Sequence, residues 1–331
     1  MTVISNKHLQ GISGPVRLAA HSGSVAVLYS FHHFTKFLIV LKRFLGIFYP
    51  VTGKTLVILQ PESGNIKKSG HMSLVRAKKH LGQHFLTDKK IAAKIVNGLV
   101  HTDQYRQVLE VGPGMGILSD LLLERDDLET YMIDIDTESY NFLKDKYPQM
   151  EEKLINGDFL AMDLNALFPG KFAIIGNFPY NISSQILFKV LEHRNHVVEM
   201  VGMFQKEVAE RCASKSGTKD YGILSVLIQA YYNIEYLFTV KPGTFNPPPK
   251  VNSGVIRLSR NHKETLACDE KLFWRVVKAG FNQRRKTLRN ALSGVIPKEK
   301  MDNHLFFDKR AEQLSVEDFI SLTQHVTGLA Q

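Results

Sequence analysis

Short apolar runs alternate with segments of helical periodicity from about residue 88 to residue 260. Strands that alternate with helices in this way are typical of an α/β protein with a mostly parallel sheet. The apolar runs predict strands at residues 107–111, 130–136, 153–160, 172–177, 197–204, 233–240 and 253–259.

Amphipathic periodicity marks the first predicted helix of this region. It places Ile91, Ile95 and Leu99 on one face, and Thr87 or Asp88 can cap its amino end. A glycine-rich turn, GPGMG, follows the strand QVLEV, and the next segment, ILSDLLLERDD, again has helical periodicity. The order strand, glycine turn, helix predicts a ligand site at the carboxyl end of the sheet.

Helical periodicity dominates after residue 260. The segments EKLFWRVVKAGF, RKTLRNAL and SVEDFISLTQHV predict three helices, and Ser315 and Asp318 are spaced as in a capping box at the start of the third. We therefore predict an α/β domain in residues 72–260 and a small helical domain in residues 261–331.

The first 71 residues have a different composition. They contain eight Lys or Arg residues and one acid, Glu62, so this segment has a net charge of +7 and residues 72–331 carry +3. Basic residues interrupt the apolar stretch 24–49, so no run reaches the roughly 18 apolar residues that a membrane-spanning helix needs. Three interpretations stay open: an organellar transit sequence, an interfacial anchor, or non-native sequence upstream of a true start at Met72.

Overall composition is that of a soluble globular protein, with 44% hydrophobic and 22% charged residues. The two cysteines, Cys212 and Cys268, form no CxxC pair or metal-ligand cluster, which favours a reduced cytoplasmic setting and no metal site. The net charge of +10 indicates a polyanionic partner but does not distinguish nucleic acid from a membrane surface.

The glycine turn and two acids predict a nucleoside site. Gly112, Gly114 and Gly116 give GxGxG, but Ile117 takes the sixth place, where a pyrophosphate-binding fingerprint has glycine or alanine. Asp134 ends the second strand and can accept hydrogen bonds from ribose hydroxyls, and Asp158 ends the third strand and can accept from an adenine amine. A plain turn is the alternative. A nucleoside without pyrophosphate favours S-adenosylmethionine and a Rossmann-like methyltransferase sheet.

The stretch GNFPYN follows the fourth strand and predicts the chemistry. The side-chain oxygen of Asn177 and the backbone carbonyl of Phe178, whose ring looks exposed, can accept from the two N–H bonds of an adenine amine. Pro179 restricts the residue before it to an extended conformation and so directs that carbonyl. Tyr180 offers a face for a base taken out of its stack. A proline turn with a packed tyrosine is the alternative.

Five motifs, LGQHFLTD, LEVGPGMG, GNFPYNISSQIL, FNPPPKVNSGVIRL and FNQRRKTLRNAL, occur in order. Together they resemble the KsgA-type small-subunit rRNA adenine dimethyltransferases over residues 76–331. The resemblance implies a methyltransferase domain, a small helical domain, S-adenosylmethionine, and dimethylation of two adjacent adenosines near the 3′ end of small-subunit rRNA during subunit maturation. Residues 1–71 have no counterpart in this family.

The resemblance also implies site residues. The cofactor-binding residues would be His84, Leu86, Gly112, Asp134, Asp158 and Asn177. Many relatives have Asn in place of His84 and Glu in place of Asp134, and both replacements keep an acceptor. Phe245, in a rim loop stiffened by Pro247, Pro248 and Pro249, would stack on the flipped base opposite Tyr180. A loop aromatic that covers the core is the alternative for Phe245.

Two basic clusters are predicted to contact RNA phosphates. The first cluster lies within two predicted helical turns and contains Arg284, Arg285, Lys286 and Arg289. The second lies near the cofactor loop and contains Arg76, Lys78 and Lys79. A solvated basic face is the alternative interpretation.

Three other functions remain to be distinguished. A resistance-type large-subunit rRNA adenine methyltransferase shares the cofactor and Asn-x-Pro-Tyr motifs, although FNPPPKV and RRKTLRNAL favour the KsgA type. A non-catalytic ribosome-assembly or transcription factor could keep the fold, but the intact Asn177, Pro179 and Tyr180 favour catalysis. DNA methylation is not expected, since we find no target-recognition region. The expected partner is the immature small subunit, bound by a cytoplasmic monomer with no membrane contact from its body.

Overall fold

The structure, a computed structural model, describes residues 17–21, 24–28, 75–261 and 263–330. The chain divides into two compact units, residues 1–71 and residues 72–331, the latter called the main unit below. In the first, β1 (Arg17–His21) and β2 (Ser24–Leu28) pair as an antiparallel ribbon. Most of the apolar stretch 24–49 lies outside the described residues. Among the described helices, none has the length and apolar character needed to cross a membrane.

A seven-stranded sheet forms the centre of the main unit. Its strands are β4 (Gln107–Val111), β5 (Glu129–Asp134), β6 (Leu154–Asn156), β7 (Phe172–Asn177), β8 (Val197–Gln205), β9 (Tyr232–Val240) and β11 (Ser253–Arg260). Their order in the sheet is β6-β5-β4-β7-β8-β11-β9, parallel from β6 to β8 and antiparallel where β11 pairs with β8 and β9. The predicted Rossmann-like α/β class is confirmed.

The strand order reverses between β4 and β7, which are parallel neighbours. Such a reversal opens a crevice at the carboxyl ends of the strands, where open α/β sheets bind ligands. The turn at Gly112 and the segment after Asn177 both leave the sheet at this crevice. The third predicted strand, 153–160, is much shorter than predicted, because the chain turns away from the sheet at Gly157 and Asp158 after only three residues.

The described helices pack on both faces of the sheet, and the last three form the helical segment that follows β11. They are α1 (Lys89–Val96), α2 (Ile117–Leu122), α3 (Thr137–Lys146), α4 (Leu164–Leu167), α5 (Ser183–Glu192), α6 (Lys206–Ala213), α7 (Ile223–Gln229), α8 (Glu270–Asn282), α9 (Leu288–Ala291) and α10 (Val316–Ala330). Asp88, one of the two predicted caps, accepts from the N–H groups of Lys90 and Ile91 and so begins α1. The capping box at α10 is confirmed, since Ser315 and Asp318 exchange hydrogen bonds of 3.1 and 2.9 Å.

One prediction about the helical segment was wrong in extent. RKTLRNAL was expected to be one helix, but residues 283–286 form a turn and only Leu288–Ala291 is α-helical. The amide of Lys286 donates to the Gln283 carbonyl, and that of Leu288 is held by the Lys309 carbonyl, so helical bonding is interrupted there. The basic cluster therefore spans a turn between α8 and α9.

The core crosses the predicted boundary at residue 260. One buried cluster joins sheet and helix residues such as Ile174 and Met200 to Phe273, Val277 and Phe319 of the helical segment. A second cluster fills the other face of the sheet. The helical segment thus shares a hydrophobic core with the sheet, and its treatment as a separate domain stays a prediction.

Two strands of two residues complete the site. β3 (Phe85–Leu86) pairs antiparallel with β10 (Phe245–Asn246), and the Thr87 amide donates to the Thr244 carbonyl over 2.8 Å. This ribbon holds the described residues before α1, called the amino-terminal arm below, against the rim loop that precedes β11. Neither strand was predicted, because a two-residue strand has no periodicity to detect.

Candidate active site at the carboxyl ends of the parallel strands

The glycine turn after β4 leaves its backbone open to a ligand. Gly112 has φ +68°, and a Cβ added there would meet no atom within 4 Å, so a ligand can approach the main chain. At Gly114 a Cβ would lie 2.7 Å from the ring of Phe85, which closes the turn on the β3 side. The cleft between turn and ribbon is lined by Phe85, Leu86, Glu110, Gly112, Met115 and Asn177, among others.

Asp134 lies at the end of β5 and is only 4% exposed. Its carboxylate oxygens accept from the amides of Asp136 at 2.9 Å and Gly114 at 3.1 Å. Burial raises the pKa of Asp134 to about 6. An ionised carboxylate has about four acceptor positions, so these two bonds orient it and leave capacity for a ligand hydroxyl.

Asp158 lies after β6 and is exposed. One oxygen accepts from the Leu160 amide over 2.9 Å, and within the described residues the other has no hydrogen-bond partner. Ile135, between Asp134 and Asp136, is 54% exposed and offers an apolar surface at the end of β5. Ile135 was not among the predicted site residues, although an aliphatic residue between two strand-end acids is a detectable signal.

Asn177 ends β7 and is oriented by the amino-terminal arm. Its side-chain Nδ2 donates to the main-chain carbonyl of His84 over 2.8 Å. A carbonyl can only accept, so this bond defines which end of the amide is nitrogen and leaves Oδ1 as the acceptor that faces away from the arm. The predicted acceptor role therefore has a geometric basis.

The ring of Phe178 is buried, although the sequence suggested an exposed ring. It is 1% exposed and stacks on Phe204 at a centroid distance of 5.0 Å and an angle of 25°. The Phe178 amide donates to the Met203 carbonyl over 3.1 Å, which continues the pairing of β7 with β8 beyond the last strand residue. The ring is thus an anchor, and its main-chain carbonyl is the group left for a ligand.

Tyr180 is half-buried and fixed at its hydroxyl. That hydroxyl and Ser253 Oγ are 2.6 Å apart, and burial raises the pKa of Tyr180. Its ring lies 5.6 Å from the imidazole of His84, tilted by 31°. The two rings are neighbours, and the pair is called the aromatic wall below.

His84 and Leu86 are placed differently from simple cofactor ligands. The imidazole Nδ1 of His84 lies 2.8 Å from the Pro247 carbonyl, so the ring joins the arm to the rim loop. Because a carbonyl accepts, Nδ1 carries the proton in this contact. Leu86 is buried, belongs to the hydrophobic core and also lines the cleft.

Phe245 occupies the position of a core aromatic. It lies in β10, is 5% exposed, and packs in the buried cluster that contains Leu86, Ile95 and Met203. The alternative considered for this residue, a loop aromatic covering the core, describes its position better than a stacking platform. In the structure, the aromatic surface beside Asn177 comes from Tyr180 and His84.

Glu110 is a further buried acid beneath the glycine turn. It is 1% exposed, accepts from Ser119 Oγ over 2.6 Å, and lines the cleft. Burial raises the pKa of Glu110 to about 8. Glu110 was predicted only as a strand residue, although an acid inside an otherwise apolar strand is a signal of a functional site.

The predicted RNA-contacting cations separate into two groups. Three have structural partners: Lys78 pairs with Asp136 and Glu138, Arg284 with Glu312, and Arg289 with Asp308. Arg284 also donates to the Thr218 and Lys219 carbonyls, and Arg289 lies over the Phe307 ring. The other four are exposed, and the described residues provide them with no ion pair: Arg76, Lys79, Arg285 and Lys286.

Comparison with known proteins agrees with this geometry. A family model for ribosomal RNA adenine dimethylase matches residues 74–327. The chain is 59% identical over 257 residues to ribosomal RNA small subunit methyltransferase A from Cytophaga hutchinsonii, covering 78% of this chain and 100% of that protein. It is 55% identical over 256 residues to the protein of the same name from Flavobacterium johnsoniae, covering 77% and 97%.

Two solved structures share the fold. A dimethyladenosine transferase from Plasmodium falciparum gives a TM-score of 0.62 at 25% identity, covering 75% of this chain and 98% of that one. The 23S rRNA methyltransferase ErmE gives 0.54 at 24% identity, covering 72% and 99%. The sheet order, the glycine turn with its strand-end acids and the Asn-Phe-Pro-Tyr segment agree with these matches, and the chain belongs to the ribosomal RNA adenine dimethylase family.

Proposed function

We propose that this protein dimethylates the exocyclic amines of two adjacent adenosines near the 3′ end of small-subunit rRNA during maturation of the subunit. The observation that carries the proposal is the orientation of Asn177, whose Nδ2 is bound to the His84 carbonyl. Its Oδ1 is thereby left as an acceptor beside the Phe178 carbonyl and the aromatic wall of Tyr180 and His84. A non-catalytic relative would not need this arrangement.

We infer that S-adenosylmethionine binds at the cleft between the glycine turn and β3. The open backbone at Gly112 allows close approach, Asp134 can accept from ribose hydroxyls, and the free oxygen of Asp158 can accept from an adenine amine. Ile135 would cover one face of the purine. When bound, the cofactor supplies a methyl group made electrophilic by its positive sulfur.

The protein contributes positioning and electrostatics to the transfer. The target amine is a poor nucleophile because its lone pair is delocalised into the purine ring. Two acceptors, Asn177 Oδ1 and the Phe178 carbonyl, would hold the two N–H bonds and direct the lone pair at the methyl carbon. An amine that accepts the methyl group becomes cationic, so its proton would pass to solvent without a dedicated base.

Base flipping would be supported by the aromatic wall. Tyr180 is held at its hydroxyl by Ser253, so its ring can receive a base without first being ordered. Stacking contributes about 1–3 kcal/mol per base, which is of the order of the cost of unstacking. Arg285, Lys286, Arg76 and Lys79 would contact rRNA phosphates, which provide affinity but little sequence choice.

The rRNA of the small subunit is favoured over that of the large subunit as the substrate. The relatives of 59% and 55% identity carry the name small-subunit methyltransferase, whereas the large-subunit enzyme ErmE shares 24% identity. The partner would be the immature small subunit, which implies a cytoplasmic location. We further infer that the protein acts as a monomer.

The test is transfer of tritiated methyl groups from S-adenosylmethionine to immature small subunits, followed by mapping of the labelled nucleotides. Two labelled adjacent adenosines near the 3′ end of small-subunit rRNA are expected. Label in large-subunit rRNA would support the resistance-type alternative. Binding to subunits without transfer would support an assembly factor.

A further inference from the structure

Two glycines lie side by side in the sheet beneath the Asn-Phe-Pro-Tyr segment. Gly176 of β7 and Gly202 of β8 are partners in the parallel register. Glycine weakens a strand interior and in that position often marks the close approach of another group. Here that group is the ring of Phe178, which the chain folds back over the two strands.

The ring fills the space that side chains at both positions would occupy. A Cβ added to Gly202 would lie 2.7 Å from Phe178 Cε2 and 2.6 Å from Phe204 Cε2. A Cβ added to Gly176 would lie 2.9 Å from Phe178 Cε1 and 2.7 Å from the Val111 carbonyl oxygen. Gly176 and Gly202 therefore form a slot, closed by Phe204, that the Phe178 ring fits.

The slot determines the direction of the Phe178 carbonyl. The residue is held on one side by the bond from its amide to the Met203 carbonyl, and on the other by Pro179, whose φ is −59°. With amide, ring and following proline fixed, little freedom remains for the carbonyl between them. A displaced ring would rotate this carbonyl away from the amine that it is proposed to hold.

We propose that Gly202 is a positioning residue for methyl transfer. It forms, with Gly176, the slot that seats the Phe178 ring and thereby directs the Phe178 carbonyl at the target amine. The inference rests on the proposed function. Gly202 lies in β8, outside the motif that carries the proposed chemistry, and it acts through Phe178 without touching the substrate.

The test compares Gly202→Ala, Phe178→Leu and the double variant in single-turnover methyl transfer to immature small subunits. We expect Gly202→Ala to lower the transfer rate about 100-fold, since a misplacement near 1 Å can have an effect of that size. RNA KM and the Kd of S-adenosylmethionine should stay within about threefold. Phe178→Leu shortens the side chain that meets the new methyl group, so the double variant should recover at least about tenfold in rate and part of the Tm lost by Gly202→Ala.

A matched control is Gly98→Ala in the loop before β4. Its Cβ would lie 2.9 Å from the Ile95 carbonyl oxygen and 3.1 Å from Val201, so an added methyl group is also crowded, but none of its three nearest atoms belongs to Phe178. This variant should lose Tm and keep the wild-type transfer rate. Equal rate losses in Gly98→Ala and Gly202→Ala would overturn the positioning role.

Further outcomes of the same experiment also decide the proposal. A Gly202→Ala rate within threefold of wild type, or a double variant no faster than Gly202→Ala, overturns it. If Gly202→Ala does not fold, Phe178→Leu alone decides: a rate about tenfold below wild type with normal cofactor affinity supports the slot, and an unchanged rate refutes it. Absence of transfer by the wild type would instead count against the proposed function, while rescue of Tm in the double variant would still support the steric relationship.

Discussion

The side-chain amide of Asn177 and the main-chain carbonyl of His84 are joined by a hydrogen bond of 2.8 Å. This bond connects the end of β7 to the arm that precedes α1, two segments 93 residues apart in sequence. It fixes the rotamer of Asn177 before any ligand is bound, so the acceptor oxygen needs no reorganisation during the reaction. The arm is therefore part of the proposed active site, although it supplies only a backbone oxygen to this contact.

We predict that Asn177→Ala lowers the single-turnover rate at least about 100-fold, because one of the two acceptors is lost. Asn177→Asp should also lower it, since a carboxylate keeps an acceptor but cannot donate to the His84 carbonyl and is repelled by it. Subunit binding should survive in both variants. A wild-type rate in Asn177→Ala would contradict the acceptor role.

Tyr180 allows the ring and the hydroxyl to be tested separately. Tyr180→Phe keeps the stacking face and removes only the bond to Ser253, so a rate loss below about tenfold is expected, in line with a hydrogen bond of about 1 kcal/mol. Tyr180→Ala removes the ring, and the rate should fall at least about 100-fold while the Kd of S-adenosylmethionine stays near normal. Calorimetry and single-turnover transfer measure the two quantities. An equal loss in both variants would show that the ring has no role of its own.

Glu110 predicts a pH-dependent stability. Its pKa is raised from 4.5 to about 8 in the folded state, so the folded state holds this proton more tightly than the unfolded state. The resulting stabilisation is present below pH 4.5 and is lost as pH rises through 8. Each pKa unit corresponds to about 1.4 kcal/mol at most, so the free energy of unfolding should fall noticeably towards pH 9.

Glu110→Gln tests this prediction because an amide keeps the acceptor for Ser119 and cannot ionise. Without cofactor, the variant should have nearly the wild-type Tm at pH 5 and a higher Tm at pH 9, by several degrees. Asp134 has a pKa of about 6 and is already ionised well above that pH, so it does not cause a change in Tm between pH 7 and pH 9. A Tm difference independent of pH would show that Glu110 does not titrate as inferred.

The basic cluster should separate into structural and RNA-binding cations. Replacing Arg285 and Lys286 with Ala should weaken RNA binding and reduce its salt slope by about 1–2, with Tm unchanged, since both are exposed. Arg284→Ala should instead lower Tm, because Arg284 joins the 283–286 turn to Glu312 and to the Thr218 and Lys219 carbonyls. An unaltered salt slope in the double variant would show that this turn is only a solvated face.

Much of the fold was accessible from the sequence because most strands of the sheet are apolar and bounded by turns. QVLEV and FAIIGN correspond residue for residue to β4 and β7, and the Asp88 cap follows from local chemistry. The two-residue ribbon of β3 and β10 was not accessible, since its register depends on a contact between segments far apart in the chain. The short β6 was overpredicted because Gly157 turns the chain out of an otherwise suitable pattern.

The site was predictable in residue type and less so in side-chain placement. The motif identified Phe178 and Phe245, but a motif cannot distinguish a ring that faces a ligand from one that faces the core, and both rings are buried. Likewise, net charge grouped Lys78, Arg284 and Arg289 with exposed cations, although their acidic partners lie 19 to 60 residues away in sequence. Such pairings arise from tertiary structure and leave no local signal.

A chain that begins at Met72 should fold and methylate as well as the full chain. The main unit, residues 72–331, is compact by itself, and the family match covers residues 74–327. The Cytophaga hutchinsonii relative is matched over its full length by 257 residues of this chain. The truncated and full-length proteins should therefore agree in Tm of the main transition, in Kd for S-adenosylmethionine and in single-turnover rate.

The truncation also tests whether the first 71 residues contribute to RNA affinity. They carry a net charge of +7, against +3 for the main unit, so a chain in which they contact phosphates would lose salt-dependent binding on their removal. We expect the salt slope to stay within about 1 of the full-length value, because the four exposed cations that are proposed to contact rRNA belong to the main unit. Insolubility or loss of cofactor binding would show that residues 1–71 are a structural part of the enzyme, and a selective loss of RNA affinity would assign them to the rRNA interface.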